Sequence, residues 1–202
     1  MRNFLIDYTS IIFKLKTYDI EEIIQILYQI LPYKWCKIYQ KMTSTSTNII
    51  HFKYNNFEFL FDYSSELVKK GIIFQNQAAE DRVIAVFGRS QLSSRNRDVN
   101  RMKGFLGLSS KIFGSNYDKG HFIGHALGGG LDVNLFPQLR DINRGWSMHG
   151  KVFRAMERYC AKNIGTFCFS HPLYYDYTWI PSAIEYGVLM SNHELWVEVF
   201  DN

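Results

Sequence analysis

Cysteine is scarce: Cys36, Cys160 and Cys168 are the only three in 202 residues, and none forms a Cys-x-x-Cys pair. That spacing excludes a disulfide framework, a zinc ribbon and a thioredoxin-type motif, and the expectation is buried thiols in a reducing compartment. No apolar run approaches the roughly eighteen residues of a transmembrane helix, so no membrane partner is expected. Asp7 falls where the apolar core of a leader would lie, and no small-residue cleavage site follows. A secretory signal peptide is therefore not expected, which leaves the cytoplasm or a specialised export route. The triplet Gly128-Gly129-Gly130 lacks G-x-G-x-x-G or Walker spacing, and His121 and His125 lack the Glu of H-E-x-x-H. No repeat is visible, and residues 43–47 are the only low-complexity segment.

What is present suffices for a folded core. Hydrophobic residues make up 47% and aromatics 16% of the chain. The net charge of +4 is unevenly distributed. Residues 1–81 carry nine basic and nine acidic side chains, residues 82–158 thirteen and five, and residues 159–202 one and five. The positive excess thus sits in the middle of the chain, where it would concentrate a polyanion.

Asp19 and Glu22 have capping-box spacing ahead of apolar residues at helical intervals, which predicts a helix over 19–31 that Pro32 ends. Residues 34–42 are expected as a strand. Residues 48–54 and 57–63, joined by Asn55-Asn56, predict a β-hairpin, because Asn tolerates the positive φ of a two-residue turn. A helical turn over 64–70 and a strand over 82–87 follow. Residues 93–101 are polar and basic, hence a loop. Val152, Phe153, Met156 and Tyr159 predict a helix after Trp146, and late strands are expected over 166–170, 184–190 and 193–200. The domain reading is an N-terminal helix and hairpin scaffold over 1–81, packed on a functional domain over 82–202 and outside its active site.

Functional chemistry concentrates in 116–157. Gly120 leaves little bulk beside His121, and an imidazole near its ordinary pKa can take a proton from water. Asn143 offers a hard carbonyl oxygen suited to Mg²⁺ that keeps most of its waters. Arg95, Arg97, Lys119 and Arg144 offer cationic donors to phosphate oxygens. A base, a hard cation and phosphate donors together fit phosphodiester hydrolysis.

The same residues resemble a known family. Asp118-Lys119-Gly120-His121, then Asn134-Leu135-Phe136-Pro137-Gln138, then Ile142-Asn143-Arg144-Gly145, with nine residues from Asn134 to Asn143, look like the DNA/RNA non-specific endonucleases of the ββα-metal (His-Me finger) superfamily. The Gly-His-Phe-Ile-x-His version is most similar to the bacterial toxin-domain branch. The resemblance implies an α+β fold with a mixed or antiparallel sheet and a ββα-metal finger carrying the active site, to which the N-terminal helix and hairpin read above form an extension. It implies His121 as general base, Asn143 as ligand to Mg²⁺ with Mn²⁺ as a substitute, and Asn134 as an active-site residue orienting the metal-binding turn. Lys119 stands where the family has Arg, without the bidentate fork. Arg95, Arg97 and Arg144 would bind substrate. Glu157 matches the helical Glu that holds metal-bound water, but fourteen residues separate it from Asn143. In one helix that is about 21 Å, so residues 146–151 must leave the helix for Glu157 to reach the metal. The implied activity is non-specific hydrolysis of DNA and/or RNA by a toxin or effector, with a cognate immunity or inhibitor protein as partner. The alternative is a catalytically inactive ββα-metal fold that binds nucleic acid or protein.

Overall fold

Local turn chemistry sets the first strands. Asn55 adopts φ 53°, so Ile49–Tyr54 (β1) folds back on Phe57–Asp62 (β2) through the two-residue turn the sequence predicts. The structure, a computed structural model, describes residues 6–43, 47–72, 80–93, 100 and 109–202. The hairpin continues into Arg82–Arg89 (β3), and then into Phe167–Leu173 (β6), Ala183–Leu189 (β7) and Leu195–Asp201 (β8). Together they form a six-stranded antiparallel sheet in the order β1-β2-β3-β6-β7-β8. A second, two-stranded antiparallel sheet pairs Tyr117–His121 (β4) with Leu135–Leu139 (β5). The fold class is therefore α+β with antiparallel sheets. The 81/82 division falls between β2 and β3, two paired strands of one sheet.

Both faces of the large sheet are covered, which is why β6 and β7 are buried along their whole lengths. On one face, Ile23, Leu27, Leu31 and Trp35 pack with Ile84, Phe87, Phe167 and Phe169. On the other, Phe122, Phe136, Phe153, Met156 and Cys160 pack with Val83, Val86, Cys168, Tyr186 and Val188. The first face carries two helices, Tyr8–Leu15 (α1) and Ile20–Met42 (α2). Under them, Tyr8 donates to Glu185 at 2.7 Å, Trp35 Nε1 donates to Tyr8 Oη at 3.0 Å, and His171 Nδ1 lies 2.6 Å from Glu185, all buried. The short helix α1, capped by Asp7 on Ser10 N, has no counterpart in the sequence reading.

Helix α2 overturns two expectations. The Asp19–Glu22 capping box forms, but the helix runs through Pro32 and takes in residues 34–42, which are not a strand. Proline inside a helix costs about 3 kcal/mol. Leu27, Leu31, Trp35 and Tyr39 recur every four residues and are all buried. Large apolar side chains contribute about 1.5–3 kcal/mol each on burial, so Trp35 and Tyr39 together offset the proline. Tyr39 also donates to the buried Asp62 at 2.8 Å.

Among the described residues the other helices are Ser64–Lys69 (α3), Ser109–Ile112 (α4), Arg140–Arg144 (α5) and Met148–Lys162 (α6), with 3-10 turns at His125–Leu127 and Asp132–Asn134. Among the described residues no helix is long and apolar enough to cross a membrane.

Candidate active site

The ββα element is built from β4, the loop 122–134, β5 and α5. Register places Asp118 opposite Gln138, Gly120 opposite Phe136 and His121 opposite Leu135. Strand alternation puts Lys119 and His121 on one face of the ribbon and Asp118 and Gly120 on the other. His121 is half-buried, with Nε2 in the interior. Lys119 is also half-buried, and burial pulls its ammonium below the usual lysine range.

The sequence reading takes Gly120 as clearance for the His121 imidazole. The structure gives a different reason: a Cβ on Gly120 would overlap the side chain of Gln138, across the ribbon. Gln138 is itself buried, and neither amide atom has a hydrogen-bond partner.

Asp118 anchors the helix to the ribbon. It accepts from Arg140 Nε at 3.2 Å and from Arg144 Nε and Nη2 at 2.6 and 3.1 Å. Partial burial pushes its carboxyl up, but the hydrogen bonds from Arg144 and Arg140 outweigh that and hold it below the usual carboxylate range. No role for Asp118 came from the sequence, although it opens the motif. Arg144, expected at substrate, thus spends two nitrogens on Asp118, and its guanidinium also lies 4.9 Å from the Trp146 ring centroid. Asn143 is half-buried on α5, and its carboxamide forms no hydrogen bond to a described residue.

Asn134 is fully buried and shapes the loop that follows His121. Its Oδ1 accepts from Ile123 N at 3.0 Å, and its Nδ2 donates to the carbonyls of Ile123 and Gly130, both at 2.8 Å. Its own carbonyl accepts from Phe122 N at 2.9 Å. The side chain thus ties the two ends of this loop together. Asn134→Ala would orphan three buried backbone groups at about 1–3 kcal/mol each. We expect urea denaturation to show a loss of several kcal/mol, and a loss below about 1 kcal/mol would refute this role.

The glycine triplet in this loop admits its neighbours. A Cβ on Gly129 would overlap the Ile123 carbonyl, and one on Gly130 would overlap Asn55 and Tyr54. Tyr54 also donates to Asp132 at 3.3 Å. The tip of the N-terminal hairpin therefore braces the β4–β5 loop, so residues 1–81 contact the finger.

Glu157 is reached by a break in the helix. Gly145 ends α5 at φ 72°, and Ser147 caps α6 by accepting from Gly150 N at 3.0 Å. The interruption is shorter than the 146–151 loop that sequence spacing requires. A Cβ on Gly150 would overlap the Asp141 carbonyl, so the two helices pack closely. The Glu157 carboxylate then lies where a Gly124 Cβ would be, three residues beyond His121, and accepts from Arg154 at 2.8 Å. His121, Asn134 and Glu157 thus border the loop between β4 and β5, while the helix bearing Asn143 and Arg144 is tied to β4 through Asp118. Arg95 and Arg97 lie outside the described residues.

Among the described residues no group of three or more His, Cys, Asp or Glu side chains could hold a metal. A caged transition-metal site is therefore not built from them. A hard cation that keeps its waters needs fewer protein donors, and a carboxamide oxygen such as that of Asn143 is a donor of the hard class.

No protein-family model matches the sequence, and no curated protein matches it. Among solved structures, the Sda1 nuclease with bound zinc ion aligns with 82% of this chain and 81% of its own, at 14% identity and a TM-score of 0.37. So loose an overlap bears on neither fold nor function.

Proposed function

We propose that the chain is a metal-dependent, non-specific endonuclease that hydrolyses phosphodiester bonds of DNA and/or RNA, acting as a toxin or effector. One observation carries the reading: β4 ends on His121, and β5 runs directly into the helix bearing Asn143, with Asp118 holding that helix to the strand. His121 takes the proton from the attacking water. Lys119 shares the His121 face and supplies a cationic donor to the scissile phosphate, and Arg95, Arg97 and Arg144 extend the phosphate contacts. Asn134 fixes the loop after His121, and Glu157, against Gly124, would orient a water molecule beside it. Asn143 would hold a Mg²⁺ ion, or Mn²⁺ in its place, which when bound stabilises the leaving oxygen. Residues 82–202 carry this machinery, and 1–81 brace it. Nucleic acid is the substrate and a cognate inhibitor the protein partner, with the chain cytoplasmic or exported by a specialised route.

Plasmid nicking tests the reading. We expect supercoiled plasmid to be nicked with Mg²⁺, EDTA to abolish nicking, and added Mg²⁺ or Mn²⁺ to restore it, because a carbonyl-and-water site suits hard cations. Nicking that survives exhaustive chelation would refute it.

A further inference from the structure

The corner between α5 and α6 displays an aromatic ring that the fold does not use. Trp146 is 59% exposed, and Met148 beside it is 73% exposed. Trp35 is fully buried, and Trp179 and Trp196 pack against the core. The corner's backbone is fixed from both sides. Gly145 N donates to the Ile142 carbonyl at 3.1 Å, Trp146 N to the Asp141 carbonyl at 2.9 Å, and Ser147 caps the next helix. The Arg144 guanidinium lies over the ring and is itself oriented by Asp118. The indole is therefore held in place with much of its surface open, three residues from Asn143.

We propose that Trp146 is a stacking platform for an unpaired nucleobase, so that the preferred substrate class is single-stranded nucleic acid rather than intact duplex. The inference deepens the nuclease reading and rests on it. An exposed ring backed by a guanidinium matches how single strands are gripped, because every base has a π-face and Arg adds a cation–π contribution. In duplex both faces of an internal base are already stacked, so the ring gains a partner only where pairing is absent. Phosphate contacts beside it would hold the strand in register without reading sequence.

The test is a fluorescence titration of the full chain in EDTA at low salt, which separates binding from turnover. The probes are a short mixed-sequence single strand and the same sequence as blunt duplex. We expect the single strand to quench emission and bind more tightly. Trp146→Ala should remove that quenching and weaken single-strand binding by about tenfold or more, with duplex binding unchanged. Trp146→Phe should recover most of the affinity, and it carries the test if the alanine variant melts early. Equal losses for both probes, unchanged affinity in the alanine variant, or no single-strand binding by the wild type would overturn the proposal. Selective stacking in EDTA without nicking in Mg²⁺ would retain this site and remove the nuclease reading. Nicking with no strand selectivity would do the reverse.

Discussion

His121→Ala should lower plasmid nicking by about 10²–10⁴-fold, the usual effect of removing a general base, while leaving the protein folded. Its site on the structure explains why the two effects separate. His121 is the last residue of β4 and pairs through its backbone with Leu135, a pairing that alanine retains. The loop beyond it is held by Asn134 and by glycine contacts, none of which uses the imidazole. The ring is half-buried, so truncation removes modest packing. Rate, thermal melting and near-ultraviolet circular dichroism should be measured on one preparation. A native spectrum with near-wild-type nicking would remove His121 as the base. The Asn134→Ala variant provides the contrast: it should lose stability first, and activity as a consequence.

Elements defined by local rules were legible in the sequence. The Asn55-Asn56 hairpin, the Asp19–Glu22 capping box and the helix after Trp146 each depend on residues a few positions apart. Beyond Pro32 the local signals of α2 point to a strand, because proline ordinarily ends a helix and Trp35, Ile38 and Tyr39 have strand propensity. The four-residue recurrence of Leu27, Leu31, Trp35 and Tyr39 held the contrary signal. Helix α1 carries local signals as well, the Asp7 cap and Tyr8, Ile11, Ile12 and Leu15 at helical spacing, while the partner of its tyrosine, Glu185, lies far along the chain. The candidate site divides the same way. His121, Asn134 and Asn143 stand in a recognisable order, yet Asp118 gains its role only when α5 brings Arg140 and Arg144 to it. The fit of Gly120 against Gln138, and of Gly130 against Tyr54 and Asn55, likewise follows from strand register and sheet packing, which no local pattern encodes.

Asn143→Ala is expected to have the second large effect and to separate cation binding from folding. Loss of a residue that merely supports a metal ligand costs about 10–100-fold in metal affinity or activity, so loss of the ligand itself should cost at least that. The Asn143 carboxamide forms no hydrogen bond to a described residue, and α5 is fastened to the ribbon through Asp118 rather than through Asn143. Thermal stability without metal should therefore match the wild type. The defect should appear in the Mg²⁺ titration, with half-maximal nicking moved to higher concentration. Asn143→Asp should recover part of the activity, since a carboxylate oxygen is also a hard donor. Its added negative charge beside the scissile phosphate keeps recovery incomplete. Asp118→Asn should behave differently, weakening the Arg140 and Arg144 contacts and lowering the melting temperature even without metal. An Asn143→Ala variant with an unchanged Mg²⁺ requirement would show that the cation is held elsewhere.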